Sequence, residues 1–168
     1  MTSGIDLKRL FDAIRAGYAL DWDGIHGASH WARVRENGLR LAEATGARTD
    51  VVELFAFLHD ARRVNDAIDF AHGARGAALA RALRGDAFEL DDAGMDLLLE
   101  ACTCHTDGML TDDATLGTCW DADRLDLPRV WITPRPELLC TAAARDPRIR
   151  EWARKRARAS RGRPESGA

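Results

Sequence analysis

All five prolines of this chain, Pro128, Pro134, Pro136, Pro147 and Pro164, fall in its last quarter. Proline removes a backbone donor and clashes with the preceding turn, so the first 127 residues lack the strongest helix breaker. The same stretch is rich in Ala, Leu, Arg and Glu/Asp, which favour helices and their first turns, and it has no alternating β-branched runs. The expectation is an all-α protein. At 168 residues it has the length of one domain that can close a single apolar core.

Apolar spacing places the helices. Leu7, Leu10, Phe11 and Ile14 form one stripe within residues 6–18, followed by a turn at Asp21 to Gly24. A longer helix is expected from about Ala28 to Ala44, with Trp31, Val34, Leu41 and Ala42 inward and a stop at Gly46. Thr49 and Asp50 are candidate N-caps for a helix over Val51 to Arg63. Further helices are expected from His72 to Gly85, from Asp91 or Asp92 to about His105, and from Asp113 to Arg124. A proline-marked connection over Leu127 to Pro136 then leads to a short helix around Glu137 to Ala144. From Arg148 to Arg163 the chain is dense in Arg and Lys, which reads as a solvated last helix with a frayed end, pinned to the body by Trp152.

Charge and cysteine usage narrow the function classes. A net charge of −3 argues against a dedicated nucleic-acid binder. No apolar run approaches the ~18 residues of a membrane span. The first residues carry no basic stretch leading into an apolar segment, so a cytoplasmic protein is expected. Cys102, Cys104, Cys119 and Cys140 form no C-x-x-C pairs and are expected as reduced thiols, Cys102 and Cys104 as buried small hydrophobes, with no structural zinc ribbon.

The five histidines carry the functional signal. His26 and His30 are one helical turn apart; His59 and Asp60 close the apolar run Leu54-Phe55-Ala56-Phe57-Leu58; His72 opens a helix and His105 ends one. Asp121 and Asp123 follow Cys119-Trp120. An imidazole and a carboxylate beside that much apolar surface are costly to bury unless something compensates, and a metal ion does so. Separate core histidines and surface acids are the competing reading. Imidazole and carboxylate together suit Zn, Mn, Fe, Co or Ni, whereas thiolates would be needed to point firmly at zinc.

The ordered set His30-Trp31-Ala32-Arg33-Val34, His59-Asp60 and Ala122-Asp123-Arg124-Leu125, with its two histidines 29 positions apart, resembles the H…HD…D signature of the HD superfamily of metal-dependent phosphohydrolases. His72-Gly73-Ala74-Arg75-Gly76-Ala77 and His105-Thr106-Asp107-Gly108 are similar to the extra motifs of dinuclear members, among them the bacterial symmetrical diadenosine tetraphosphate hydrolases. His26 to Val34 and Cys119 to Leu127 also resemble a group of small bacterial HD proteins. The likeness covers about residues 25–145, which sets the expected organisation: an N-terminal helix and turn over 1–24, a single HD-domain helical bundle over 25–145, and a basic helix and tail over 146–168.

The resemblance implies His30, His59, Asp60 and Asp123 as ligands of one divalent ion, with His72 and His105 serving a second and Asp60 shared. Fe, Mn, Co, Ni, Zn and Mg all remain open. His26 is expected as an extra ligand or a support beside the ligands, and Asp121 as a support. Asp60, Arg33 and Arg62 are the expected catalytic group, the arginines because a planar fork suits phosphate. The expected activity is hydrolysis of a small phosphorylated metabolite, a nucleotide foremost. An HD-type mixed-valent diiron oxygenase and a non-catalytic metal-binding or signalling module are the alternatives, and the oligomeric state stays open.

Overall fold

A computed structural model describes residues 4–159. Among them are eight α-helices and two 3-10 segments but no strand; only isolated bridges tie Phe88 to Ile5 and Arg84. The helix starts follow local chemistry. Asp6 accepts the Arg9 N–H to open α1 (Leu7–Ala16). Asp91 accepts from Gly94 to open α5 (Asp92–Cys104), and Asp113 accepts from Thr115 and Leu116 to open α6 (Ala114–Arg124). α2 (Ala28–Thr45) stops where Gly46 takes a left-handed conformation at φ 71°. Leu7, expected on the buried stripe of α1, is half exposed.

α3 (Thr49–Leu58) differs most from expectation. Its side chains from Val51 to Leu58 are nearly all buried, but it ends five residues before Arg63. Beyond Leu58 the bonds tighten to three-residue turns, Ala61 N–H to Leu58 O and Arg63 N–H to Asp60 O. Its cap position is Arg48 instead of Thr49 or Asp50; the Asp50 carboxylate takes the Arg48 guanidinium and the Val51 N–H.

α2 packs on α3 and α6, α3 also packs on α5, and α4 (His72–Leu83) lies along α5. Their shared interior holds Trp31, Leu54, Phe55, Leu58, Leu98 and Trp120. The expected helix near 137–144 is displaced: a 3-10 turn over Pro136–Leu138 precedes α7 (Ala142–Arg145). α8 (Pro147–Ala159) starts on proline, whose missing N–H is no loss in a first turn. Residues 160–163 of the expected last helix, and the expected frayed end, lie outside the described residues. Trp152 packs on a second apolar cluster of Leu41, Leu125 and Leu139, with Arg40 and Arg156 stacked on its ring at 4.3 and 4.4 Å. Among the described residues no helix is long and apolar enough to cross a membrane.

Candidate metal centre

The ends of five helices meet at one place. His30 lies in the first turn of α2, His59 and Asp60 at the end of α3, His72 at the start of α4, His105 just past α5, and Asp123 in the last turn of α6. The four imidazoles are all 4% exposed or less, too buried for water to solvate them.

Their orientation is fixed from behind. His59 Nδ1 faces the carbonyls of Phe55 and Ala56 at 3.0 and 3.2 Å, and His105 Nδ1 faces the Cys102 carbonyl at 2.7 Å. His72 Nδ1 bonds the Asp69 carbonyl, and His30 Nδ1 donates to Asp126 at 2.7 Å. Carbonyl and carboxylate oxygens only accept, so each Nδ1 carries the proton and each Nε2 presents a lone pair in the neutral ring. All four Nε2 atoms point inward. His30 and His59 bring theirs to 3.2 Å, and His72 and His105 to 2.9 Å. Lone pairs that close repel unless a cation, proton or metal, stands among them. This pairing of an inward Nε2 with an Nδ1–H tied to an oxygen is how proteins orient metal-ligating histidines.

Two carboxylates complete the set. Asp60 Oδ2 is 3.6 Å from His30 and 3.7 Å from His59, whereas its Oδ1 is 3.3 Å from His72 and 3.7 Å from His105. One side chain thus turns a separate oxygen to each half of the cluster. Asp123 Oδ1 is 3.3 Å from His30 and 3.7 Å from His59. Three donor groups have their atoms within 4.8 Å of one another: His30, His59 and Asp60; His59, His105 and Asp123; Asp60, His72 and His105. These are nitrogen and oxygen donors only, which fits a divalent transition ion.

The field of the cluster also calls for positive charge. Burial opposes the ionised form of Asp60, but His59, His105, His26 and His72 together hold it well below the usual carboxylate range. Asp123 is likewise held down, against burial, chiefly by His30 and His59. Burial drives His59 down to about 3, so it is neutral near pH 7. For His30 and His105 burial acts in the same direction, but the bonds from His30 to Asp123 and Asp126, and from His105 to Asp60, outweigh it and shift both upward. Carboxylates that pull protons onto buried imidazoles would equally retain a metal cation.

Other residues singled out in the sequence land differently. His26 precedes α2 and places its Nδ1 2.9 Å from Asp60 Oδ2, beside the cluster. Arg33 reaches Asp126 through two bonds of 2.7 and 3.0 Å, so its fork is committed to a carboxylate instead of lying open for phosphate. Arg62 turns away altogether: it donates to the carbonyls of Ala13, Ile14 and Ala61, tying α1 to the end of α3. The tight turns after Leu58 separate the directions of Arg62 and Arg63. Asp121 is buried apart from the histidines and accepts the N–H groups of Cys140 and Thr141 at 2.8 Å each, anchoring the segment before α7.

Two residues absent from the expected set matter more. Asp126 fixes the ring of His30 while Arg33 clamps it, and it lies in the turn just past α6, its N–H bonded to the Asp123 carbonyl at 2.9 Å. Arg63 lies against the other half, 3.1 Å from His72 Nε2 and 3.4 Å from Asp60 Oδ1. A cleft of about 490 Å³ opens beside the cluster. His105 and Asp123 form its floor, and Leu127, Ile132, Pro134 and Leu138 supply its apolar walls.

No family model and no curated protein matches the sequence. A solved structure does: a predicted HD superfamily hydrolase from an uncultured Thermotogales bacterium, 26% identical, with a TM-score of 0.67 over 90% of this chain and 86% of that one.

Proposed function

Because the chain is an HD-domain protein by fold, we propose that it is a metal-dependent hydrolase that cleaves a phosphoester of a small metabolite, nucleotides foremost, with metal-activated water. The observation that carries this reading is the convergence of four Nε2 atoms, each with its Nδ1 tied from behind, on Asp60 and Asp123. The likeness to a predicted HD superfamily hydrolase supports it.

His30, His59, Asp60 and Asp123 would hold one divalent ion, and Asp60, His72 and His105 a second. When bound, such ions lower the pKa of a coordinated water from 15.7 to roughly 7 and polarise phosphoryl oxygens. The chain does the rest. Asp126, kept ionised by His30 and Arg33, orients His30 against the field of its neighbours. His26 fixes Asp60 Oδ2, while Arg63 brings positive charge to Asp60 Oδ1 and competes with any ion for His72. Leu127, Ile132, Pro134 and Leu138 keep water off one side of the cleft where substrate would enter.

The test is release of inorganic phosphate from a panel of phosphomonoesters and nucleotides by metal-loaded protein, run beside an oxygen electrode. The expected result is phosphate release that stops on chelation and proceeds without oxygen uptake. Oxygen uptake without phosphate release would assign the chain to diiron oxygenase chemistry. Neither signal, with metal bound, would leave a binding or signalling module.

A further inference from the structure

We propose that the cleft beside Asp123 is a leaving-group pocket, which selects esters of a single phosphate with a ring-sized apolar organic group over polyphosphates. This rests on the hydrolase reading and deepens it. The cleft is continuous with the metal-binding donors, because His105 and Asp123 belong to both. A phosphate held at that floor leaves its organic substituent to the walls of Leu127, Ile132, Pro134 and Leu138. At about 490 Å³ the cleft has the size of a small-molecule site.

The cations decide the charge of what fits. Arg124 lines the cleft but donates to the carbonyls of Leu138 and Met109 at 2.9 and 2.7 Å and is 9% exposed. Arg33 is spent on Asp126, and Arg63 on Asp60, His72 and the carbonyls of Asn65 and Ala67. Arg135 remains at the rim, where it faces Glu137 at 3.6 Å. Sites that hold a chain of phosphates supply several cationic donors aimed at its oxygens. Among the described residues, this cleft offers one exposed arginine already beside a carboxylate. One phosphate at the metal donors is compensated; a second and third would meet walls where Leu127, Ile132, Pro134 and Leu138 stand beside the neutral Thr106 and Thr133, at the cost of desolvating charge without a cation aimed at it.

Ile132 and Leu138 are 53% and 42% exposed, so replacing them perturbs the walls and not the core. The experiment is calorimetric binding of benzylphosphonate, methylphosphonate and inorganic triphosphate to the metal-loaded protein at fixed free metal, for wild type and an Ile132→Ser, Leu138→Ser double variant. Phosphonates are not cleaved, so leaving-group reactivity plays no part. Benzylphosphonate is expected to bind about tenfold tighter than methylphosphonate or better. The double variant is expected to lose that margin, its benzylphosphonate affinity falling to that of methylphosphonate. Equal affinity for the two phosphonates, an unchanged margin in the double variant, or tightest binding of triphosphate would overturn the pocket while the hydrolase reading stood. No phosphonate binding together with no phosphate release from benzyl phosphate would overturn both.

Discussion

Replacing His59 or Asp60 by alanine is expected to lower phosphate release by on the order of a thousandfold, about 4 kcal/mol of transition-state stabilisation; His59→Ala should lose the ion held with His30 and Asp123, and Asp60→Ala should weaken both. His59 is one of two imidazoles within 4 Å of Asp123, and Asp60 is the one carboxylate that turns an oxygen to each half of the cluster. The helices should survive, because Leu54, Phe55 and Leu58 remain buried behind the lost side chain. Far-UV circular dichroism beside metal analysis and turnover separates the effects. Asp60→Asn, which keeps the shape and removes the charge, guards against a variant that fails to fold. Turnover and metal content near wild type in any folded variant would contradict the assignment.

Gly76→Ala is expected to destabilise the protein by about 2 kcal/mol, or about 6 °C in Tm. A Cβ at Gly76 would stand 2.4 Å from the Leu58 carbonyl oxygen and 3.2 Å from that of His59. One turn earlier, a Cβ at Gly73 would stand 2.3 Å from the Cys102 carbonyl. Those atoms are backbone, so no rotamer change relieves the contact and α4 must back away. It would carry His72 from His105 as it moved, so the variant should also hold metal less tightly. Thermal unfolding of the metal-free and metal-loaded forms measures both effects. An unchanged Tm would mean that α4 does not approach α3 and α5 this closely.

The same glycines show what a sequence conveys and what it withholds. His72-Gly73-Ala74-Arg75-Gly76-Ala77 stands out for its histidine, yet the glycines bring α4 onto the carbonyls of α3 and α5 and so set where that histidine lies. The helical character was legible, because Asp91, Asp113 and Gly46 act through contacts a few residues long. The donor residues also stood out: imidazoles next to apolar runs are rare and costly. Their neighbours were harder. Adjacency to Asp60 made Arg62 and Arg63 equivalent on paper, and only the three-residue turns after Leu58 send one to α1 and the other to His72. Asp121 and Asp123 differ by two positions, nearly opposite on a helix, and accordingly one anchors Cys140 and Thr141 while the other faces His30. Asp126 was findable by its three-residue step from Asp123, but its pairing with His30 and Arg33 spans over ninety residues and belongs to tertiary structure.

Metal held by the convergent Nε2 atoms is the premise of the proposed hydrolysis. Elemental analysis of the protein purified without added metal, alongside a His72→Ala, His105→Ala double variant, tests it most directly. The wild type is expected to carry close to two divalent ions per chain and the double variant close to one, because His30, His59, Asp60 and Asp123 keep a complete set of donors. A wild-type chain that binds no divalent ion even when one is supplied would contradict the centre itself. One ion in both proteins would contradict its second half, leaving Arg63 as the cation that serves His72 and Asp60.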